Sequence, residues 1–311
     1  MLLATLAELS VPFGGHIIVP EPDPSQDCYV LAHESPLHPQ DPPPEEVQSW
    51  ELRYAESIAS QTTLLKGHCS ASPVSLGRRL DNVTQSISSL GGMAPSQYRA
   101  ALQSRLDLLP TGVVVFSVGG DSNLWECSNA GGRTVFLEDN PEWASMVRQE
   151  APTLEIIELE YTAGRDCGAA SRLSSTPLDQ LAADAVDVRQ QIAPLLGRQE
   201  QWRVFHIDGP NMSPHGRLQP ALASMAFACE TVSKHGGRAS IVLHDVQREC
   251  EDNIVQHLLL RDQQSPAWSC QLWPKAETTH DARFPPEGAI AMVEVAVEAT
   301  HPVCLAIAAL G

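Results

Sequence analysis

Two apolar runs with polar endings constrain this chain more than anything else in it. Val113-Val-Val-Phe-Ser-Val-Gly-Gly-Asp-Ser122 is a β-branched stretch that stops at two glycines and an aspartate. Arg133-Thr-Val-Phe-Leu-Glu-Asp139 is a second apolar stretch, stopped by an acidic pair. This is the order of parts in a nucleotide-binding βαβ unit. Glycines let the backbone approach a ligand, and an acid at the tip of the next strand can hold a ribose. Glu138 follows Gly119 by roughly 19 positions, close to the ~20 expected of such an acid. Gly119-Gly120-Asp121 is not G-x-G-x-x-G, so the turn alone is a partial match.

The rest of the chain continues the same rhythm. Strands are expected at 113–118, 133–138, 154–161, 202–207 and 239–243. Helices are expected between them: one opening at Pro141, a favourable first helical position, and others near 177–196, 217–234 and 247–260. Two later runs, 268–273 and 289–297, have no full helix between them and suggest an antiparallel pair at one sheet edge. Strands alternating with helices imply an α/β fold with a Rossmann-like, doubly wound and mostly parallel sheet. Seven strands are expected, the layout of a class I methyltransferase.

Residues 1–95 have a different texture. Prolines crowd 20–44, and helices are expected at 46–66 and 75–90, with a third at 96–109. We divide the chain into an N-terminal helical cap, 1–95, and a catalytic domain, 96–311.

Bulk properties narrow the partners. With 311 residues and 43% hydrophobic content the chain can bury a large core. Its formal net charge of −18 repels phosphate backbones and anionic lipid, which argues against nucleic acid and membrane surfaces. The first residues lack a basic segment and carry Glu8, a poor signal peptide, and no apolar run is long enough to span a bilayer. None of the eight cysteines forms a C-x-x-C pair, so free thiols and a reducing, cytoplasmic setting are expected.

In an open α/β sheet ligands bind outside the carboxyl ends of the strands. Four such ends here are polar: Gly119-Gly120-Asp121, Glu138-Asp139, Asp208 and His244-Asp245. Gly119 and Gly120 read as a close approach of backbone to ligand, or else as a plain tight turn. Asp121 reads as an acceptor for an ammonium group or as a helix cap, with Ser122 beside it in the turn. Glu138 is the best candidate for both ribose hydroxyls, and Asp139 reads as a solvated acid or cap. Tyr161, ending the third strand, is placed to stack on an adenine or to pack in the core. Asp208 reads as a base, a metal ligand or a turn former before Gly209-Pro210. His206, inside a strand, reads as a core histidine. His244 and Asp245 are candidate catalytic groups, since histidine changes protonation near neutrality. Asp208 and Asp245 together are a candidate divalent-cation pair. Trp125 reads as core or as a flank to a ligand, and His280 and His301 as solvent-facing.

Several stretches together resemble a plant polysaccharide-biosynthesis family that includes glucuronoxylan 4-O-methyltransferase and the irregular-xylem proteins. They are Phe116-Ser-Val-Gly-Gly-Asp-Ser-Asn-Leu-Trp125, Gly131-Gly-Arg-Thr-Val-Phe-Leu-Glu-Asp-Asn-Pro-Glu-Trp143, Ile207-Asp-Gly-Pro210 and Leu243-His-Asp-Val246. The resemblance implies a Rossmann-type fold, S-adenosylmethionine as cofactor and methyl transfer to oxygen. By position, the glycine turn takes the methionine end and Glu138 the ribose. The Asp208/Asp245 pair is similar to the metal site of catechol-type O-methyltransferases, but the asparagine that completes that site is Val246 here, which puts a metal in doubt. The acceptor is expected to be a small molecule or a saccharide. Two alternatives stay open: another reaction of the same cofactor, such as cyclisation of its aminobutyrate arm with release of methylthioadenosine, and a non-catalytic binding protein on the same fold.

Overall fold

The computed structural model describes residues 108–119, 121–162, 166–197, 201–209, 216–246, 248–261 and 292–310. The expected cap over 1–95, the helices at 46–66, 75–90 and 96–107, the strand at 268–273, Gly120 and His280 lie outside the described residues.

Six strands form a single sheet: β1 (Gly112–Phe116), β2 (Arg133–Glu138), β3 (Ile156–Glu158), β4 (Trp202–Ile207), β5 (Ala239–His244) and β6 (Met292–Val297). Their order is β3-β2-β1-β4-β5-β6. The first five are parallel, and β6 runs antiparallel against β5. The helices are α1 (Ser122–Ser128), α2 (Pro141–Glu150), α3 (Cys167–Ala170), α4 (Leu178–Leu196), α5 (Leu218–His235), α6 (Glu249–Ile254) and α7 (Pro302–Leu310). This is the doubly wound, mostly parallel architecture read from the sequence. The chain order reverses between β1 and β4, which makes their carboxyl ends the topological switch point.

The sequence explains the layering. Val113, Val114, Val115 and Phe116 are all at most 3% exposed, because β1 has helices on both faces. Val113 and Val115 join Leu124 and Trp125 of α1 and Val147 of α2 on one side. Val114 and Phe116 join α4, α5 and α7 on the other. Burying each such side chain contributes about 1.5–3 kcal/mol. α2 starts where Pro141 predicts, with the Asn140 side chain accepting from the backbone of Glu142 and Trp143. The cap is therefore Asn140 and not Asp139.

Four expectations need correction, and a fifth is met as far as the described residues reach. β3 is shorter than 154–161: only Ile156–Glu158 keep strand pairing, while Leu154, Leu159 and Tyr161 are buried from irregular backbone. Six of the seven expected strands pair in the sheet, the seventh, 268–273, lying outside the described residues, and the partner of 292–297 is β5. The helix expected over 247–260 is α6 followed by a single π-helical turn, Val255–Leu259. His301 is not solvent-facing but 2% exposed; its Nδ1 accepts from the Val303 amide and its Nε2 lies 3.0 Å from the Leu259 carbonyl oxygen. Finally, the five cysteines among the described residues are not free. Cys167 is joined to Cys250, Cys229 to Cys304, and Cys127 is disulfide-bonded as well. The pairs are 83 and 75 residues apart, so no local motif announces them.

Candidate active site

The β1 and β2 tips form one wall of the cleft. Ser117, directly after β1, has φ 97, a conformation that costs a non-glycine residue about 1–3 kcal/mol and clusters at functional sites. The twist is held by its amide, which donates to the Leu137 carbonyl at 2.7 Å. The next amide, Val118, donates to Glu138 Oε2 at 2.9 Å, and the Asn140 amide donates to Oε1 at 3.0 Å. Glu138 is 4% exposed and ties the glycine turn to the start of α2. Burial raises its carboxyl above the usual range, opposed by those two amides. The Ser117 hydroxyl also reaches Oε2, at 3.5 Å, and since a carboxylate offers about four acceptor sites, about one remains unused.

The turn itself is fastened from below. The Gly119 amide donates to Ser122 Oγ at 2.8 Å, and Trp143 Nε1 of α2 donates to the Val118 carbonyl. Among the described residues, a Cβ placed on Gly119 would meet only Asp121 Oδ1, at 3.9 Å. Neither packing nor backbone conformation therefore demands a glycine here. Room for a ligand against bare backbone is the remaining reason for one.

The β4 and β5 tips form the other wall, and a buried arginine knits them. Arg217, just before α5, has a side chain that is 0% exposed. It donates to the His244 carbonyl at 2.5 Å, the Asp208 carbonyl at 2.8 Å and Asp245 Oδ2 at 2.8 Å. Arg248 adds a contact to Asp245 Oδ2 at 3.1 Å. Burial pushes the Asp245 carboxyl up, but Arg217 and then Arg248 hold it well below the usual carboxylate range. The expected role of Asp245 as a catalytic or cation-binding acid is thus corrected. Its carboxylate is engaged by two guanidiniums, and at φ 56 its backbone turns the chain out of β5. Sequence reading missed Arg217, because an isolated arginine carries no sign that four backbone and side-chain acceptors will converge on it.

Between the walls sits a compact polar group. Ile207 pairs with Leu243, which sets Asp208 beside His244 at the ends of neighbouring strands. Asp208 Oδ1 lies 3.4 Å from His244 Nδ1, with the Asp208 side chain 36% exposed and that of His244 7%. His206 projects from the same face of β4, its ring 4.4 Å from Trp125 and 5.7 Å from His244 between centroids. Trp125 Nε1 donates to Asp121 Oδ2 at 2.8 Å. Burial, then the neighbouring Asp208, push the Asp121 carboxyl up to about 6. Asp121 precedes α1 without capping it by its side chain. The geometry therefore gathers Gly119, Asp121, Ser122 and Glu138 on one side and Asp208 and His244 on the other. Tyr161 is 8% exposed within the core cluster; burial, then Asp139 and Glu138, raise its hydroxyl well above the ordinary value.

Comparison with known proteins follows the same lines. The profile of the family described as IRX15/IRX15L/GXM matches residues 97–269. Arabinogalactan O-methyltransferase 2 of Arabidopsis thaliana is 31% identical over 165 residues, 49% of this chain and 55% of the relative. Glucuronoxylan 4-O-methyltransferase 1 of the same plant is 26% identical over 215 residues, 64% of this chain and 73% of the relative. Protein IRREGULAR XYLEM 15 is 26% identical over 166 residues, 49% and 51%. The chain thus spans about half the length of several relatives it matches. Among solved structures, an O-methyltransferase from Bacillus cereus in complex with SAH aligns at 14% identity and TM-score 0.40, covering 78% of this chain and 100% of that one. Among the described residues no helix is long and apolar enough to cross a membrane.

Proposed function

This chain belongs to the IRX15/IRX15L/GXM family, and from that premise we propose that it is an S-adenosylmethionine-dependent methyltransferase acting on a hydroxyl oxygen of a saccharide or other small molecule. The observation that carries the reading is the space above Gly119 that the described residues leave, flanked by a buried Glu138 whose carboxylate still has acceptor capacity to offer. When bound, the cofactor supplies a methyl group already activated on a sulfonium. Glu138 accepts the ribose hydroxyls, and the Gly119 backbone lies under the methionine end. Asp121, half-buried across the turn, offers a carboxylate oxygen to the cofactor ammonium. Asp208 and His244 stand where the acceptor hydroxyl must come, and the exposed Asp208 oxygens take its proton. The chain then mainly aligns acceptor and methyl, and positioning of this kind contributes roughly 7–11 kcal/mol. The names of the relatives point toward a saccharide acceptor.

The disulfides bear on where it works. Cross-links at Cys127, Cys167–Cys250 and Cys229–Cys304 persist in oxidising surroundings. We therefore place the chain in an oxidising compartment and no longer in the reducing one that free thiols would imply.

Calorimetry with S-adenosylhomocysteine tests the cofactor site. Glu138→Ala is expected to lose binding, and unchanged affinity would refute the ribose role. Asp208→Asn is expected to bind the nucleoside and lose turnover on glucuronoxylan or arabinogalactan oligosaccharides. Mass spectrometry of the products separates the reactions: S-adenosylhomocysteine supports methyl transfer, methylthioadenosine supports cyclisation.

A further inference from the structure

We propose that the Cys167–Cys250 bridge is a thiol–disulfide exchange site through which a low-molecular-weight thiol such as glutathione switches the β4–β5 wall of the cleft. The two bridges differ in access. Cys229 and Cys304 are 1% and 2% exposed, so their bridge is sealed inside the core. Cys167 and Cys250 are both only half-buried. Exchange requires a thiolate to reach a disulfide sulfur, so access decides which bridge reacts first.

The reactive bridge also occupies a critical place. Cys167 opens α3 and Cys250 stands in the first turn of α6, helices of only four and six residues. Gly216, at φ 60, lies so close to both sulfurs that no room is left for a Cβ. The next residue is Arg217, which donates to the Asp208 and His244 carbonyls and to Asp245. Cys250 itself lies between Arg248, 3.1 Å from Asp245 Oδ2, and Glu251, whose Oε1 is 3.8 Å from Arg217 Nε. Glu251 is 3% exposed, and its Oε2 has no hydrogen-bond partner among the described residues. A buried acid so thinly held depends on how α6 is anchored. The bridge thus braces one ion network from two sides, at Gly216 and at the start of α6.

The chemistry balances between the bridge and its reductant. A glutathione thiolate attacks one sulfur, and the other sulfur leaves as a thiolate. A second glutathione then resolves the mixed disulfide. The bridge gains two electrons and two protons and becomes two thiols, while two glutathiones lose them and become one disulfide. With the bridge open, α3 parts from α6 and the Gly216 backbone loses the sulfurs it rests on. The loss falls on the wall that Arg217 fixes. The β1–β2 wall is held separately, through Glu138, Ser122 and Trp143. Reduction should therefore disturb the acceptor side and spare the nucleoside side. The switch stands on the bridge and Arg217; only its effect on turnover rests on the methyl-transfer reading.

The test uses the intact oxidised chain, equilibrated at graded ratios of reduced to oxidised glutathione and then blocked with N-ethylmaleimide. Peptide mass spectrometry is expected to find Cys167 and Cys250 labelled under conditions about tenfold less reducing than Cys229 and Cys304 require. At a ratio that opens the first bridge alone, amide hydrogen exchange is expected to quicken about tenfold around Asp208 and His244–Val246, with little change at Val118 and Gly119. Turnover on glucuronoxylan oligosaccharides is expected to fall about tenfold while S-adenosylhomocysteine affinity holds, and oxidised glutathione should restore it. The double variant Cys167→Ser with Cys250→Ser should behave as the reduced chain at every ratio; should it fail to fold, the wild-type titration decides. Equal labelling of the two bridges, or selective labelling without faster exchange at the β4 and β5 tips, overturns the switch. Turnover that stays unchanged while the tips loosen overturns its bearing on catalysis. An exchange response in a chain that turns over no acceptor in either state supports the switch and counts against the methyl-transfer reading alone.

Discussion

Replacing Arg217 by methionine tests the account of how the catalytic wall is held. The guanidinium is 0% exposed and serves three acceptors within 2.8 Å, two of them carbonyls and one the Asp245 carboxylate. Methionine fills much of the volume but donates nothing. Asp245, 10% exposed, is then left with Arg248 alone, itself 30% exposed and partly screened by water. Removing one partner of a buried pair costs about 3–5 kcal/mol, because a desolvated charge is stranded. In domains of 150–250 residues each kcal/mol shifts Tm by about 2–4 °C, so a fall of about 6–20 °C is expected. Total stabilities run to about 5–15 kcal/mol, which leaves the variant mostly folded at room temperature. Urea unfolding by circular dichroism measures the loss, and calorimetry the shift in Tm. Adding Asp245→Asn in the Arg217→Met background removes the stranded charge. The double variant should then lose less than the two single losses combined, by at least about 1 kcal/mol. A loss under about 1 kcal/mol for Arg217→Met, with an unchanged denaturant slope, would mean that the arginine is not what joins β4 to β5.

Two further substitutions probe other joints. A Cβ on Gly209 would stand 2.5 Å from Ser117 Cβ, and Ser117 is already held at φ 97. Gly209→Ala should cost about 1–3 kcal/mol by overpacking and weaken S-adenosylhomocysteine binding through the displaced turn; an alanine variant with wild-type Tm and affinity contradicts that close approach. His301 is neutral in the fold, with Nδ1 accepting from Val303 and Nε2 against the Leu259 carbonyl. Burial lowers its value below the ordinary 6.5. The unfolded chain therefore binds the proton first, and stability should fall as pH drops below about 6.5. His301→Gln should flatten that slope between pH 7.5 and 5 in urea titrations, and an unaltered slope places the titrating group elsewhere.

The strand tips were legible because each is an apolar run with an abrupt polar ending. Val113–Val118 and Arg133–Glu138 need no tertiary information to be read as strands, and Asn140-Pro141 marks the helix start by local chemistry alone. His206 was legible as buried, but its neighbours depend on register. Only the pairing of Ile207 with Leu243 brings Asp208 level with His244 and His206 near both. Arg217 was invisible because its partners lie 9 and 28 residues away, on two different strands. Asp245 was misread for the same reason, since an acid at a strand tip looks catalytic until the guanidinium that occupies it is seen. The disulfides join residues more than seventy positions apart, and a spacing rule built on neighbouring cysteines has nothing to say about them.

The Cys167–Cys250 bridge lies directly against the backbone that precedes Arg217. A Cβ on Gly216 would come within 2.7 Å of Cys167 Sγ and 3.2 Å of Cys250 Sγ. Cutting that bridge releases α3 from α6 at the very place where the arginine enters the core. A sample kept in dithiothreitol is therefore a different object from one kept in air. Ligand affinities measured on the two describe two separate proteins, and buffer choice becomes part of any assay on this chain.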